Sequence, residues 1–219
     1  NLSSGNTTAG ENWTCSVNAY DGTDYETDWN NNSLIIQNTI PVLSNLLLNS
    51  TLGTNLTSEN ITAYWSATDA DSDAIKNITN WYVDGTSIAV LNMPFEGGSN
   101  STYSKDYSGY GNDGTVTDAT WNATAGYDAK GAYEFDGSGD FIEVTNLESS
   151  IENSSIGTLT VWVNRLRVGV SDTIFMHTDM SAANKYLNFQ IRNNNYIRYY
   201  YRYAIGDFGD DYMYIDGNT

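Results

Sequence analysis

Hydrophobic residues occupy every second position along several stretches of the first ninety residues. Within residues 11–20 this alternation is unbroken, and it stops at the turn Asp21-Gly22. A period of two is the pattern of a half-buried β-strand, and the apolar run 33–37 beyond the turn predicts the second strand of a hairpin. Four further strands are predicted in the same way, over 42–48, 61–68, 78–84 and 87–90. The pattern therefore predicts an all-β protein.

Composition agrees with this prediction and narrows the range of partners. The 219 residues include 17 tyrosines and 6 tryptophans, and aromatic side chains suit pleated sheets. There are 27 acidic residues against 9 basic ones, so the net charge is −18. Such a chain is repelled by phosphate backbones and by anionic lipid surfaces, and no stretch reaches the roughly 18 apolar residues of a membrane helix. We therefore expect neither nucleic-acid binding nor membrane insertion.

Parts of the first ninety residues resemble the immunoglobulin-like repeats of archaeal-type cell-surface proteins. The segments ENWTCSVNAYDG and SLIIQNTIP are similar to the closing strands of one such repeat. The segment 61–90 is similar to the second and third strands of the next repeat, with Trp81 at the position of the core tryptophan of the fold. The resemblance implies closing strands of one domain in 1–40 and opening strands of a second domain in 41–90.

From Leu91 onward the composition changes to glycine, aspartate and aromatic residues. The segments LNMPFEGG, KDYSGYGNDGTV and GAYEFDGSGDFIEV resemble the laminin G-like, concanavalin A-like jelly roll. The resemblance implies that 91–219 is a jelly roll without its closing strands, so we expect the chain to be part of a longer protein. It also suggests a jelly roll inserted into a split sandwich, which strands from neighbouring copies would complete.

Asparagines in Asn-x-Ser/Thr sequons are about twice as frequent as composition predicts. Sequons accept N-linked glycans in exported proteins, so their excess favours an extracellular glycoprotein of the cell surface. An Asn- and Thr-rich β protein would also contain several of them by composition alone. The eleven acceptors are Asn1, Asn6, Asn12, Asn31, Asn49, Asn55, Asn60, Asn77, Asn100, Asn122 and Asn153.

The single cysteine, Cys15, excludes an internal disulfide framework. By alternation it shares one strand face with Trp13 and Val17, and this position favours a buried thiol. The other interpretation is a covalent partner outside these residues.

Two sets of carboxylates are candidate calcium sites. The jelly-roll resemblance brings two glycine-rich loops together at the rim of the fold, where calcium would find the carboxylate and amide oxygens that it prefers. The alternative is that these residues form turns and cap their own backbone. The rim set consists of Asp106, Asn112, Asp113, Asp136 and Asp140.

The second calcium candidate is the acidic loop of Asp69, Asp71 and Asp73. Its spacing begins like that of an EF-hand, but Ala74 replaces the required glycine and Asn80 replaces the bidentate glutamate, so an EF-hand is excluded. The alternative interpretation is a solvated turn.

A strand rich in tyrosine and arginine is the candidate glycan-binding site. Strand alternation places Tyr196, Arg198, Tyr200 and Arg202 on one face. Aromatic rings stack on the apolar faces of sugars and arginine donates hydrogen bonds to hydroxyl groups. A cross-strand ladder that supports the sheet or a subunit contact is the alternative.

No set of residues points to catalysis, because the single histidine, His177, has neither a nucleophile nor a metal-ligating companion in the sequence. We predict a non-catalytic, extracellular surface protein with a structural or adhesive role in a modular array or filament. Its expected partners are other copies of itself or neighbouring repeats, together with glycans, and its expected additional groups are calcium and covalent N-glycans. The alternatives are a calcium-dependent carbohydrate-binding module and an accessory domain of a secreted glycosidase.

Overall fold

The computed structural model describes residues 3–145, 147, 150–151, 156–179, 185–202 and 211–215. It divides into two compact units, Asn1–Asn77 and Ile78–Thr219. In the described residues nearly all of the regular structure is β-strand in antiparallel pairs, besides a short 3-10 helix at Ser4–Asn6 and helical residues at 150–151. The all-β prediction is therefore confirmed. Within the described residues, no helix has the length and apolar character needed to cross a membrane.

The first unit begins with a hairpin of β1 (Asn12–Val17) and β2 (Asn30–Ile35). Trp13 lies opposite Leu34 in the ladder, so both lie on the face that also carries Cys15. Leu34 is 59% exposed and Cys15 is exposed. The prediction of a buried thiol is therefore wrong, because no second layer from the described residues covers this face.

The second hairpin of this unit joins β3 (Val42–Ser50) to β4 (Ile61–Thr68). Its register shifts between Ser44 and Leu47, where β3 has one more residue than β4. Asn45 occupies this bulge with a φ of 53°, a left-handed conformation that asparagine adopts more readily than most residues. The bulge therefore has a local cause in the sequence.

The bulge decides which leucines share a face. Before it Leu43 lies opposite Ala67, and after it Leu48 lies opposite Ala63. Without the extra residue, every side chain beyond it would change faces. Leu43 and Leu48 are 55% and 60% exposed. We call this apolar surface the leucine face, formed by Leu43, Leu48, Ala63, Trp65 and Ala67.

Residues 78–90 belong to the second unit and form little strand. In place of the predicted strands 78–84 and 87–90 the structure has only the two-residue strands β5 (Tyr82–Val83) and β6 (Thr86–Ser87). Side chains bind the backbone nearby, since Asn92 Nδ2 donates to the carbonyl of Thr79 at 2.9 Å and Asn80 Nδ2 donates to the carbonyl of Ser108 at 3.0 Å. The division into 1–40, 41–90 and 91–219 stays a prediction.

The small core of the second unit lies among short strands. A three-stranded sheet of order β11-β8-β7 contains β7 (Tyr103–Ser104), β8 (Gly114–Thr117) and β11 (Phe141–Glu143). The pair β9 (Thr120–Asn122) and β10 (Ala132–Glu134) forms a separate hairpin. The core cluster consists of Val116, Ala119 and Tyr133, with Phe95, Trp121 and Ile142 packed against it.

Tyr133 anchors this core at both ends of its side chain. Its ring meets that of Phe95 edge to face, with 5.0 Å between the ring centroids. Its hydroxyl oxygen lies 2.8 Å from the carbonyl of Asn100 and 2.9 Å from that of Tyr103. A buried tyrosine usually finds such a hydrogen-bond acceptor.

The last strands form a four-stranded antiparallel sheet in sequence order. They are β12 (Asp172–Asp179), β13 (Lys185–Ile191), β14 (Ile197–Arg202) and β15 (Asp211–Ile215). Their register separates an apolar face from a face of tyrosine, arginine and amide residues. The apolar face includes Leu187, Phe189, Ile191, Ile197, Met213 and Ile215.

Candidate functional site

Asp106 organises the glycine-rich loop that precedes β8. The residue is 3% exposed, and its Oδ1 accepts hydrogen bonds from the backbone N–H groups of Asn92 and Ser108, both at 2.9 Å. Its Oδ2 accepts from Ser108 Oγ at 2.5 Å and from the backbone N–H of Asn112 at 2.9 Å. Burial raises the pKa of this carboxyl group, but the four hydrogen bonds outweigh burial and leave the pKa below its ordinary value. The carboxylate therefore closes the loop in its ionised form.

Asp113 holds a second polar cluster at the end of the same loop. It accepts hydrogen bonds from the Tyr103 hydroxyl, from the backbone N–H of Asp106 at 2.8 Å and from Lys105 Nζ at 3.1 Å. The tyrosine hydrogen bond is the main cause that lowers the pKa of Asp113, and the same hydrogen bond raises the pKa of Tyr103. The hydrogen bond to Asp113 also raises the pKa of Lys105. The oxygens of Asp113 are thus engaged in protein contacts.

Hydrogen bonds to other protein groups already engage the residues of the predicted rim set. Asp136 Oδ1 accepts from the backbone N–H of Ser138 at 2.7 Å, and Asp140 Oδ2 accepts from the backbone N–H of Asp136. Asn112 Nδ2 donates to the carbonyl of Val90 at 2.7 Å. In the described part of the chain, no three carboxylates of the rim set have ligand oxygens within 4.8 Å of one another. Each loop instead caps its own backbone, and calcium binding there stays a prediction.

The acidic loop after β4 does bring its three carboxylates together. Asp69, Asp71 and Asp73 each offer a ligand oxygen, and these oxygens lie within 4.8 Å of one another. Hydrogen bonds already shape the loop, because Asp69 Oδ1 accepts from the backbone N–H groups of Asp71 at 2.9 Å and Asp73 at 3.2 Å. Calcium at this loop stays a prediction.

Asp71 also ties this loop to the linker before β3. Its Oδ2 accepts from Thr39 Oγ1 at 2.6 Å and from the backbone N–H of Thr39 at 2.7 Å. The side-chain hydrogen bond of Thr39 is the larger of the two causes that lower the pKa of Asp71. The loop is therefore a hydrogen-bonded turn with an ionised carboxylate at its surface.

The predicted glycan-binding residues lie on one face of β14, as alternation requires. Arg198 lies opposite Gln190, and Tyr200 lies opposite Asn188. Tyr196 precedes the strand and is 37% exposed, while the side chains of Tyr200 and Arg202 lie outside the described ones. The shared face is therefore established by the backbone, and the ligand stays a prediction.

Eight of the predicted glycosylation sites are exposed, namely Asn6, Asn12, Asn31, Asn49, Asn55, Asn60, Asn77 and Asn100. The exception is Asn122, which is half-buried and donates from Nδ2 to Glu134 Oε1 at 3.3 Å. Asn1 and Asn153 lie outside the described residues. Exposure makes the eight sites accessible, and their occupancy stays a prediction.

Comparisons with known proteins give little further information. No protein-family model matches the chain, and no curated protein matches it. A crystal structure of residues 221–444 of an S-layer domain-containing protein from Clostridium thermocellum is similar at 20% identity with a TM-score of 0.49. The match covers 59% of this chain and 58% of that one. A likeness of this extent supports no transfer of function.

Proposed function

We propose that this chain is a non-catalytic structural component of an extracellular surface assembly, in which strands of neighbouring copies cover the hairpins of its first unit. The observation that carries the proposal is the leucine face, whose two leucines are more than half exposed while Ala63, Trp65 and Ala67 are half-buried. Isolated two-stranded hairpins are marginally stable at best in water and need a third strand or a packed layer. The β3–β4 hairpin has a ladder of seven residue pairs and an apolar face, yet Leu43 and Leu48 are more than half exposed.

The energy available from covering this face is moderate. Complete burial of a leucine side chain contributes about 1.5–3 kcal/mol, so a half-exposed leucine gains about 1 kcal/mol from further burial. The β1–β2 hairpin offers a comparable surface, with Trp13, Cys15 and Leu34 on one face. Exposed apolar surface of this kind marks sites of protein association. Contacts repeated along an assembly would add these small gains together.

The sequons lie on the opposite side of both hairpins. Asn12 and Asn31 lie on the face of β1–β2 that faces away from Trp13, and Asn49 lies opposite Thr62 on the face of β3–β4 that faces away from Trp65. Glycans at these positions would leave the apolar faces free for protein contacts. This separation supports an exported, glycosylated surface protein whose hairpins pack on one side.

Two leucines of β3 provide a matched test of the proposal. Leu43 belongs to the leucine face, whereas Leu47 lies opposite Tyr64 on the other face, and both leucines are 55% exposed. In sedimentation velocity over a concentration series we expect the wild-type chain to associate, and Leu43→Asn to weaken association at least about fivefold, roughly 1 kcal/mol. Leu47→Asn should leave association unchanged.

Two results would count against the proposal. A wild-type chain that stays monomeric up to its solubility limit would show that the leucine face does not bind other copies. Equal effects of Leu43→Asn and Leu47→Asn would show that association depends on general hydrophobicity rather than on this face.

A further inference from the structure

Residues 157–164 of the second unit form an unpaired segment. From 156 to 168 the backbone contains no helix, turn or bend, so this stretch runs without a sharp change of direction. Within the described part of the chain, residues 157–164 make no hydrogen bond and belong to no sheet. Unpaired backbone groups along such a segment are a template for pairing with another strand. We call residues 157–164 the free strand.

The side chains of the free strand follow the alternation of a sheet strand. An extended backbone places Leu159, Val161 and Val163 on one side, and their exposed fractions lie between 42% and 49%. The other side carries Trp162, whose ring stacks on that of Tyr127 with 4.2 Å between the ring centroids. One side of the free strand is therefore aliphatic and still half exposed.

Two further exposed side chains follow the free strand. Leu166 is 88% exposed. Arg167 is also exposed and lies against Gly137, without a hydrogen bond or ion pair among the described residues. Arg165 differs, because its guanidinium already binds β12. Since no acidic residue occurs in 156–171, the segment presents an aliphatic anchor and a positive charge in a chain of net charge −18.

The β3–β4 hairpin offers a complementary surface. The outer edge of β3 has no strand partner in the described residues, and one side of the hairpin is the leucine face. An open depression of about 600 Å³ lies where β3 begins and β4 ends, lined in part by Ile40, Val42 and Ala70. Asp69 of the acidic loop after β4 also lines it. Lys76 is the first basic residue of the chain, so no base on β1 to β4 offsets the negative charge of this loop.

Charge and chain direction fix how the two surfaces fit together. Arg167 follows the free strand, and the acidic loop lies beside the start of β3, because Val42 pairs with Thr68. A strand that ends near the start of β3 runs antiparallel to it. Antiparallel pairing therefore brings Leu166 to the depression and Arg167 to the acidic loop. With its aliphatic side on the leucine face, the free strand completes a three-stranded sheet, the smallest that is stable in water.

The other edges of the first unit fit the free strand less well. Acidic residues follow both β1 and β4 in the sequence, so matching the charges beside either strand requires a parallel pair. Parallel pairs are slightly less stable per residue than antiparallel ones. The remaining edge, β2, begins with three asparagines, which cannot continue an aliphatic face.

We propose that residues 157–167 of a second copy bind at the outer edge of β3, with Leu166 in the depression and Arg167 beside the acidic loop. This inference rests on the proposed function and names the strand that a neighbouring copy supplies. The contact joins the second unit of one copy to the first unit of the next. It is therefore heterologous, and it either repeats along a filament or closes into a ring.

Exchanging the charges of Arg167 and Asp73 tests this contact in the full chain, by sedimentation velocity at low salt. Arg167→Asp and Asp73→Arg should each weaken association about fivefold or more, because each places like charges together. A chain that carries both changes should associate within about twofold of the wild type. An equimolar mixture of the two single variants should also recover, since each free strand then meets an oppositely charged hairpin on the other variant. A contact within one chain would not recover on mixing.

Leu166→Ser and Leu52→Ser form a matched pair for the aliphatic anchor. Both leucines are exposed, Leu166 by 88% and Leu52 by 76%, but Leu52 lies in the turn between β3 and β4, at the other end of the hairpin from the depression. Leu166→Ser should weaken association about fivefold or more, because it removes apolar surface that the contact buries. Leu52→Ser should leave association unchanged. Because both side chains are exposed, both variants should keep the circular dichroism spectrum of the wild type.

The outcomes separate this contact from the proposed function. A wild-type chain that stays monomeric would overturn both. If the wild type associates and Leu43→Asn weakens it, three results would overturn the contact alone. They are undiminished association in Arg167→Asp, equal effects of Leu166→Ser and Leu52→Ser, and failure of the mixed single variants to recover. Recovery only when one chain carries both changes would assign the contact to a single chain and would overturn the role of a second copy.

Discussion

The β3–β4 hairpin of the first unit and the Asp106 loop of the second satisfy their backbone hydrogen bonds in different ways. The backbone of the hairpin forms a ladder of seven residue pairs from Val42–Thr68 to Ser50–Ile61, interrupted by one bulge, yet its leucines remain exposed. The Asp106 loop has little strand, yet one carboxylate satisfies the backbone of Asn92, Ser108 and Asn112, and Asp106, Ser108 and Asn112 are buried. A hydrogen-bonded ladder therefore does not imply that the apolar face of the hairpin is buried.

The two regions also differ in whether they need a further packing partner. A buried carboxylate that accepts four hydrogen bonds needs no further hydrogen-bond partner. A two-stranded hairpin with one apolar face needs another layer. We therefore expect partners to bind at the hairpins of the first unit, and we expect the Asp106 loop to stabilise the second unit by its own hydrogen bonds.

The largest expected effect comes from Asp106→Asn, which tests whether the loop is complete in itself. The amide keeps the shape of the carboxylate but turns one acceptor oxygen into a donor that faces other donors. With hydrogen bonds to a charged group contributing about 1.5–3 kcal/mol each, the loss of two should cost about 3–6 kcal/mol. Amide hydrogen exchange at Asn92, Ser108 and Asn112 measures this loss directly.

Asp118→Asn is the control for this change. Asp118 is exposed and has a φ of 57°, a conformation that asparagine also adopts readily, so this variant should exchange like the wild type. Unchanged exchange in Asp106→Asn would show that the carboxylate does not hold the loop.

The second prediction concerns acid, because a carboxylate also organises the turn of the hairpin. Glu59 accepts from Thr54 Oγ1 and from the backbone N–H of Leu52 at 3.2 Å. Hydrogen bonding to Ser50 and then to Thr54 lowers the pKa of Glu59 to about 2. An unfolded chain binds this proton near a pKa of about 4.3, so the turn is favoured above that pH, and the preference is lost as the pH falls through about 2.

A carbon-detected NMR titration of Glu59 should therefore find its midpoint near pH 2. In Glu59→Gln the amides of the turn should lose this acid dependence. A midpoint near the ordinary value of about 4.3 would contradict the contacts described for the turn.

The smallest expected effect concerns calcium at the turn after β4. If three carboxylates hold the ion, calorimetry should detect weak binding, in the range of about 10⁻⁴–10⁻³ M that extracellular modules show. Asp73→Asn should abolish this binding and leave the contact of Asp71 with Thr39 intact. Absence of heat in the wild type would leave the loop as a hydrogen-bonded turn.

Alternation predicted the strands whose side chains lie on two distinct faces. The predicted strands 42–48 and 61–68 correspond to β3 and β4 with ends within two residues, and alternation placed the Tyr/Arg residues of β14 on one face. It failed at Cys15, because alternation identifies the apolar face but not whether anything covers it. It also failed at 78–84, where the side chains of Asn80 and Asn92 bind nearby backbone carbonyls.

Contacts between distant residues were beyond prediction from the sequence. The loop aspartates were recognised as turn or calcium residues, but nothing local shows that Asp106 accepts from Asn92, fourteen positions earlier. The bulge at Asn45 was visible in the sequence, since Ser44 and Asn45 interrupt the apolar run of β3. The burial of Asn188, which is 9% exposed, was not visible in the sequence, because it depends on the neighbouring strands.

The central claim is that neighbouring copies cover the apolar faces of the first unit, and Cys15 is a native probe of that claim. It is the only cysteine in the sequence, and it is exposed on the face of Trp13 and Leu34. The rate of thiol labelling should be measured across the concentrations at which sedimentation detects association. We expect labelling to slow by about tenfold or more as copies associate and to recover on dilution. A labelling rate that stays the same in the monomer and in the assembly would contradict the account.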